Sequence, residues 1–474
     1  MLYQFIVWLY ARNLPSKPFT VSYLDEKRER TFPNVTIQLP IYNEKYVVER
    51  LIDCIVRLDY PKSKLEIQIL DDSTDETTQL IGRKIATYRE KGWNIYMLHR
   101  EHREGFKAGA LQEGLSAAKG DLIAIFDADF LPESNFLKNI IPFFDTAYVG
   151  AVQIRWSFAN VNESFLTLMQ SLHLNIHFGM EQPARDVADV NLQFNGSAAI
   201  WRKNAIDDSG GWQPDTLTED LDLSLRAQAQ KWKIIYLKNY TCRCDLASDF
   251  NGYRQQQFRW MQGGAQVARK FTFSSFWFKK MPFFRYLSSL PLLYGSSIFF
   301  VALVLTLLSV PMAFNKFIPW WFVQISIIFQ FSIVIVFLNY YSANKTINRY
   351  SFPKLLMLFI PYLLFSFGMM FHNGIAAVKG WLGIKSEFSR TPKQLKSTHH
   401  NDNPSMTKNY VVRPRIGIVI FEFLLLIYFS AALYFDIIFS KGIWGIFHGF
   451  IALSYFMTIW MFVYYRQVGS KAIG

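Results

Sequence analysis

Asp121-Leu122-Ile123-Ala124-Ile125-Phe126-Asp127-Ala128-Asp129 is the stretch on which the reading of this chain turns. Its apolar middle, Leu122 to Phe126, is too short for a free-standing helix and is bounded by carboxylates, the pattern of a buried parallel strand. The strand delivers two acids, one residue apart, to the carboxyl end where open α/β sheets gather ligands. Carboxylate oxygens completed by water and phosphate oxygens suit Mg2+ or Mn2+, so Asp127 and Asp129 are candidate ligands of a metal diphosphate. Alone, such a triplet is more often a solvated turn. Its surroundings decide.

Upstream, strands alternate with helices. Val35 to Leu39 predicts a first strand ending in Pro40-Ile41-Tyr42-Asn43-Glu44, and Val47, Val48, Leu51, Ile52 and Ile55 then recur at helical spacing. Leu65 to Leu70 predicts a second strand running into Asp71-Asp72-Ser73-Thr74-Asp75, and Asn94 to Leu98 a third. Polar groups after each strand end indicate a doubly wound, nucleotide-binding α/β sheet. Asp71 and Asp72 suit either a helix N-cap or hydrogen bonds from a base or ribose. Lys107, in a glycine-flanked turn before a helix over 108–118, is either a surface lysine or a partner for a diphosphate at the helix N-terminus.

Downstream, 148–153 and 195–201 continue the sheet. Between them, His173 and His177 lie four residues apart on a helix without a third ligand, so a core or interface role outweighs zinc. Thr218-Glu219-Asp220 reads as a threonine N-cap with acids in the first turn, and also as the source of a general base. Gln256, Arg259 and Trp260 fall on one helical face, where a Trp plate beside hydrogen-bonding groups suits a pyranose. An interfacial Trp and Arg near lipid headgroups is the other reading.

Composition bounds the class. Of 474 residues, 51% are hydrophobic and 17% aromatic, richer than a soluble enzyme. The surplus lies beyond about residue 270. The net charge of +13 sits largely between apolar runs, as for cytoplasmic loops of a membrane protein, and no basic arm points to nucleic acid. Cys54, Cys242 and Cys244 match no zinc spacing and read as reduced thiols. Stretches 287–312, 318–340, 416–437 and 443–465 read as spans. The run Leu355 to Val378 is apolar enough too, but the basic segments on both sides of it predict a re-entrant or interfacial helix. Phe271 to Tyr286 reads as an interfacial helix. Met1 to Ala11 is too short to span and reads as interfacial or as the tail of an earlier span, with no signal-peptide pattern. The domain expectation is therefore 1–32, an interfacial segment; 33–270, a catalytic domain; and 271–474, a helical membrane region with a loop at 380–412.

Asp71-Asp72, Asp127-Ala128-Asp129, Thr218-Glu219-Asp220 and Gln256-Gln257-Phe258-Arg259-Trp260, in that order, resemble the processive family 2 glycosyltransferases of the cellulose synthase superfamily. Gln38-Leu39-Pro40-Ile41-Tyr42-Asn43-Glu44 and Gly105-Phe106-Lys107-Ala108-Gly109 are most similar to its glucomannan, mannan and glucan synthase branch. The resemblance implies a GT-A domain followed by a transmembrane channel, Mg2+ or Mn2+ as cofactor, and a GDP- or UDP-hexose donor. It implies nucleotide-sugar binding by Tyr42, Glu44, Asp71, Asp72, Lys107 and Asp127, metal binding by Asp127 and Asp129, and catalysis by Asp220 with Glu219. It further implies that Gln256, Arg259 and Trp260 hold the growing polysaccharide and that the chain passes outward through the bilayer. Ser386 to Lys393 resembles the family's gating loop, with Arg390 in place of its Val. The family's usual first transmembrane helix has only an 11-residue counterpart, and no cyclic-dinucleotide-binding tail is expected. A non-processive transferase acting on a lipid, or an inactive scaffold, are the rival expectations.

Overall fold

The structure, a computed structural model, describes residues 2–12, 32–274, 282–314, 320–386 and 415–471. Seven strands, β1 (Val35–Ile41), β2 (Leu65–Asp71), β3 (Ile95–His99), β4 (Leu122–Ile125), β5 (Val149–Phe158), β6 (Ala199–Arg202) and β7 (Lys233–Cys244), form one sheet in the order β3-β2-β1-β4-β6-β5-β7. β1 pairs in parallel with β2 and β4, and β2 with β3. β1, β2 and β4 are buried on both faces, but one face of β1 and β2 is polar: Thr36 Oγ1 donates to Glu66 Oε2 (2.6 Å) and Gln38 Nε2 to Gln68 Oε1 (3.0 Å), so these buried groups satisfy one another. Ile37, Leu39, Ile67 and Ile69 are fully buried on one side, Ile123 and Ile125 on the other.

The doubly wound expectation needs one amendment. β6 runs antiparallel to both β4 and β5, so the sheet is mixed. The chain enters β6 from the carboxyl end of β4, with Ala199 opposite Ile125, and a strand entering there must run back. The turn also shortens the strand expected over 195–201, because Gly196 and Ala198 take left-handed φ of 82° and 57° and leave the pleat. β5 instead extends past Gln153 to Phe158.

Among the described residues, three helices are long and apolar enough to cross a membrane: Phe283–Ala313, Ile416–Ile438 and Gly442–Gln467. They match three expected spans; of the fourth, 318–340, residues 320–340 lie in the helix Trp320–Ile347 and 318–319 lie outside the described residues. Ile420, Phe421 and Leu424 are more than half exposed, an apolar belt that water would not tolerate but lipid does. Polar side chains turn inward, where His448 Nδ1 lies 2.5 Å from Asp436 Oδ2 and its Nε2 lies 2.9 Å from Ser309 Oγ, tying the three helices together. The Leu355–Val378 run is two helices, Phe352–Gly368 and Met370–Trp381, bent by 41°. A side chain at Gly368 would collide with Thr458 Oγ1, so this glycine permits the close crossing with Gly442–Lys471. His372 and Asn373 are buried in protein.

Phe271 to Tyr286 is not one helix. Phe271 lies in the last turn of the helix Phe250–Thr272, Phe283 begins the next helix among the described residues, and 275–281 lie outside them. Most of the gating-loop likeness, from Glu387 onward, also lies outside them. The helix Leu2–Arg12 buries Val7 and Ala11, and its Trp8 donates to Ser342 Oγ (3.2 Å).

Candidate active site

The carboxyl ends of β1, β2 and β4 open into a solvent-accessible cleft of about 180 Å³, closed on its far side by the helices Glu219–Ala229 and Phe250–Thr272. Tyr42, Glu44, Asp72, Lys107, Asp127, Asp129, Glu219, Asp220, Gln256, Arg259 and Trp260 all line it. Residues spread over more than two hundred positions thus meet in one space.

Asp127 lies one residue beyond Phe126, which follows the end of β4, and donates its backbone N–H to Ser197 Oγ (2.9 Å). Lys107 stands in the first turn of the helix Phe106–Ala117, launched by Gly105 at a left-handed φ of 70°. Its Nζ donates to Asp127 Oδ1 (2.6 Å) and to the Gly196 carbonyl (2.8 Å), and lies 3.9 Å from Glu219 Oε1. Those anions raise the Lys107 pKa against the opposing effect of its burial, so it stays charged. Asp129 is buried, and its Oδ2 accepts from the Asp245 N–H (3.3 Å). Among the described residues no cluster of three or more His, Cys, Asp or Glu could hold a metal. Asp127 and Asp129 therefore offer a two-carboxylate set beside open space, which fits Mg2+ or Mn2+ completing its shell with water and substrate phosphates. It does not fit a metal caged by protein alone.

Asp71 and Asp72 separate. Successive strand residues point to opposite faces, and Asp71, the last residue of β2, turns away from the cleft. Fully buried, it accepts from the Ser73 N–H (3.1 Å) and Thr78 Oγ1 (2.7 Å), and lies 2.8 Å from His99 Nδ1. It braces the start of the helix Thr77–Glu90 and does not line the cleft, contrary to the expectation of a shared nucleoside site. Asp72 does line it, gripped by Arg100 through Nε (2.7 Å) and Nη2 (2.6 Å), with Arg103 at 3.5 Å. The Arg103 guanidinium covers the Tyr42 ring at 3.6 Å. Both arginines escaped the reading of the sequence. The signal available was the charged run His99 to Glu104, placed at a strand's carboxyl end like the other site segments.

Thr218 does not cap its helix. Its Oγ1 is buried without a hydrogen-bond partner, because Gly263 of the neighbouring helix packs directly beneath it. A Cβ on Gly263 would lie 2.6 Å from Thr218 Cγ2. The acids Glu219, Asp220 and Asp222 do occupy the first turn, where the helix dipole favours them. Asp220 Oδ1 accepts from the Leu221 N–H (2.8 Å), and Oδ2 faces the bare Cα of Gly196. Burial, then the charge of Glu219, pushes the Asp220 carboxyl up to about 7, against the pull of Lys107 and Arg259. A carboxylate tuned to that range is an effective proton acceptor at neutral pH.

Asp249 starts the helix Phe250–Thr272 by accepting from the Gly252 N–H (2.7 Å). Gln256, Arg259 and Trp260 face the cleft from it, alongside Trp156, Phe158 and Leu174. His173 and His177 form no metal site. His177 is bonded to Glu181 (3.2 Å) and Asn195 (2.9 Å), and His173 lies 3.4 Å from Tyr362.

Comparison with known proteins places this geometry. Residues 33–263 match the family described as "Glycosyltransferase like family 2". "Probable glucomannan 4-beta-mannosyltransferase 10" of Arabidopsis thaliana is 39% identical over 280 residues, 57% of this chain and 51% of the relative. "Probable glucomannan 4-beta-mannosyltransferase 7" of Oryza sativa subsp. japonica is 41% identical over 251 residues, 52% of this chain and 43% of the relative. The chain thus spans about half the length of these curated relatives. The mannosyltransferase PcManGT from Pyrobaculum calidifontis, solved with GDP-Man and Mn2+, shares the fold at a TM-score of 0.53 and 21% identity, over 81% of this chain and 96% of that one.

Proposed function

We propose that residues 33–263, which match the family 2 glycosyltransferase description, are the catalytic domain of a membrane-embedded, inverting, processive glycosyltransferase making a β-1,4-linked mannan or glucan from a GDP- or UDP-hexose. The observation that carries the reading is the meeting of Asp127 and Asp129, Asp220, and Gln256 with Trp260 in one cleft, on a helix whose other side packs against membrane helices.

Asp72, Tyr42 and Glu44 hold the nucleoside. Asp127 and Asp129 hold a divalent cation, which when bound supplies positive charge to the diphosphate. Lys107 adds a fixed ammonium on the same side. Trp260 and Gln256 seat the acceptor sugar with one hydroxyl turned to Asp220. That hydroxyl gives its proton to Asp220 as its oxygen bonds to the anomeric carbon, and the bond from that carbon to the diphosphate breaks. A single displacement turns an α-linked donor into a β-linkage. Glu219, 3.9 Å from Lys107, keeps the ammonium in place and the Asp220 carboxyl basic.

A donor screen in purified membranes tests the proposal. GDP-mannose or UDP-glucose should yield polymer that endo-β-1,4-mannanase or glucanase digests. Discrete single-sugar additions to lipid would overturn processivity, and no transfer from any nucleotide sugar would overturn the function.

A further inference from the structure

The helix Phe250–Thr272 presents Gln256, Arg259 and Trp260 to the cleft, and something must fix its height and rotation relative to the base Asp220. On its opposite side, Arg254 is buried and forms a bidentate pair with Glu422 of the span Ile416–Ile438, Nη1 to Oε2 at 2.8 Å and Nη2 to Oε1 at 2.9 Å. Glu422 is wholly buried in a largely apolar helix whose other carboxylate, Asp436, is itself paired with His448. A carboxylate there is costly unless paired, and such residues mark function more often than stability.

His372, from the second half of the bent pair, closes the arrangement. A guanidinium only donates, so His372 Nδ1 accepts from Arg254 Nη2 (3.1 Å) and its Nε2–H donates to the Arg254 carbonyl (2.8 Å). Side chain and backbone of one residue are thus held from two membrane elements. Further along, Gln262 Nε2 donates to the Ile384 carbonyl (2.7 Å), and a side chain at Gly380 would collide with the Gln262 carbonyl. The helix cannot rotate or slide without breaking the charged clamp two residues before Gln256.

We propose that Arg254, Glu422 and His372 are positioning residues that register the acceptor-binding face against the catalytic base, tying elongation to the state of the membrane helices. The inference rests on the acceptor role proposed above for Gln256, Arg259 and Trp260. It touches neither the nucleoside nor the diphosphate side of the cleft. Disturbing the clamp therefore impairs transfer to sugar and spares transfer to water.

The test compares full-length wild type, Glu422→Gln, His372→Leu and the charge exchange R254E/E422R in detergent, each first shown monodisperse. Hydrolysis of GDP-mannose and of UDP-glucose is measured alone, then with β-1,4-mannohexaose as acceptor. Displacement of a reacting group by about 1 Å costs on the order of 100-fold, so Glu422→Gln and His372→Leu should lower the elongation-to-hydrolysis ratio by roughly 10- to 100-fold. The acceptor KM should rise, donor KM and hydrolysis should hold, and the charge exchange should recover part of the ratio. Equal loss of hydrolysis and elongation would mean a merely structural anchor and overturn the inference, as would an unchanged ratio in folded protein. A wild type that hydrolyses donor but transfers to no sugar would overturn the acceptor assignment itself, a different failure.

Discussion

At the scale of a residue, the tension in this cleft is concentrated on Asp220. Burial and Glu219 oppose its charge while Lys107 and Arg259 support it, and the first pair prevails, raising its carboxyl to about 7. Two outcomes follow with determinable signs. If Asp220 is the base, initial rate rises with pH through about 7 and levels above it, because only the carboxylate accepts the proton. Asp220→Asn loses roughly 10²- to 10⁴-fold in kcat, and that limb of the profile disappears. A near wild-type rate would remove Asp220 from the mechanism. Stability runs the other way. The folded protein holds a proton there that the unfolded chain releases near its ordinary value of about 4, so stability falls as pH rises from about 4 to about 7. Asp220→Asn escapes that loss. The inactive variant should melt above wild type at about pH 8 and converge on it towards about pH 4, as thermal unfolding in detergent can read.

At the scale of elements, hydrophobic periodicity shows most of the architecture, and backbone detail decides the remainder. β4 was legible because both its faces are buried and apolar, which writes an uninterrupted apolar run into the chain, whereas β1 and β2 alternate Val35, Ile37, Leu39 and Leu65, Ile67, Ile69 with buried polar residues at the strand period. The reversal at β6 was not legible, since nothing in Ala199 to Arg202 encodes direction; left-handed turns at Gly196 and Ala198 impose it. The same division holds in the cleft. The acids at strand ends were visible as chemistry, whereas Asp71 and Asp72 are indistinguishable in sequence and are sorted only by strand alternation. Thr218 shows the limit most plainly: the residue type suits a cap, but tertiary packing of Gly263 overrides the local preference. That contact is testable. Gly263→Ala would place a methyl against Thr218 Cγ2, Oγ1 and backbone N at once, with no flexible side-chain end to give way. Overpacking of this kind costs about 1–3 kcal/mol and should displace the turn carrying Glu219 and Asp220. A lowered melting temperature with kcat falling more than donor KM rises is the expected result. Unchanged kcat would mean that the turn tolerates the shift.

At the scale of the whole molecule, the sheet domain and the C-terminal helical region share a core. Leu166, Met169, Phe250 and Tyr253 pack in one cluster with Tyr340, Phe359, Tyr362 and Met461. A catalytic domain merely tethered to a bilayer would not bury its own core residues among membrane helices. On the proposed function, such sharing sets the acceptor-holding helix Phe250–Thr272 beside the candidate spans, so a polymer growing by addition in the cleft would have a short route into the helical region. If the product follows that route, it crosses as it grows. The decisive experiment reconstitutes the protein into sealed vesicles, selects those with the catalytic domain outside, and supplies donor externally. Product should resist added β-1,4-mannanase and glucanase until detergent opens the vesicles, with the protected fraction rising as the chains lengthen. Product fully digestible before detergent would show that synthesis occurs at the membrane without passage through it. The acceptor site would then keep its chemistry, while the membrane helices would serve as an anchor alone.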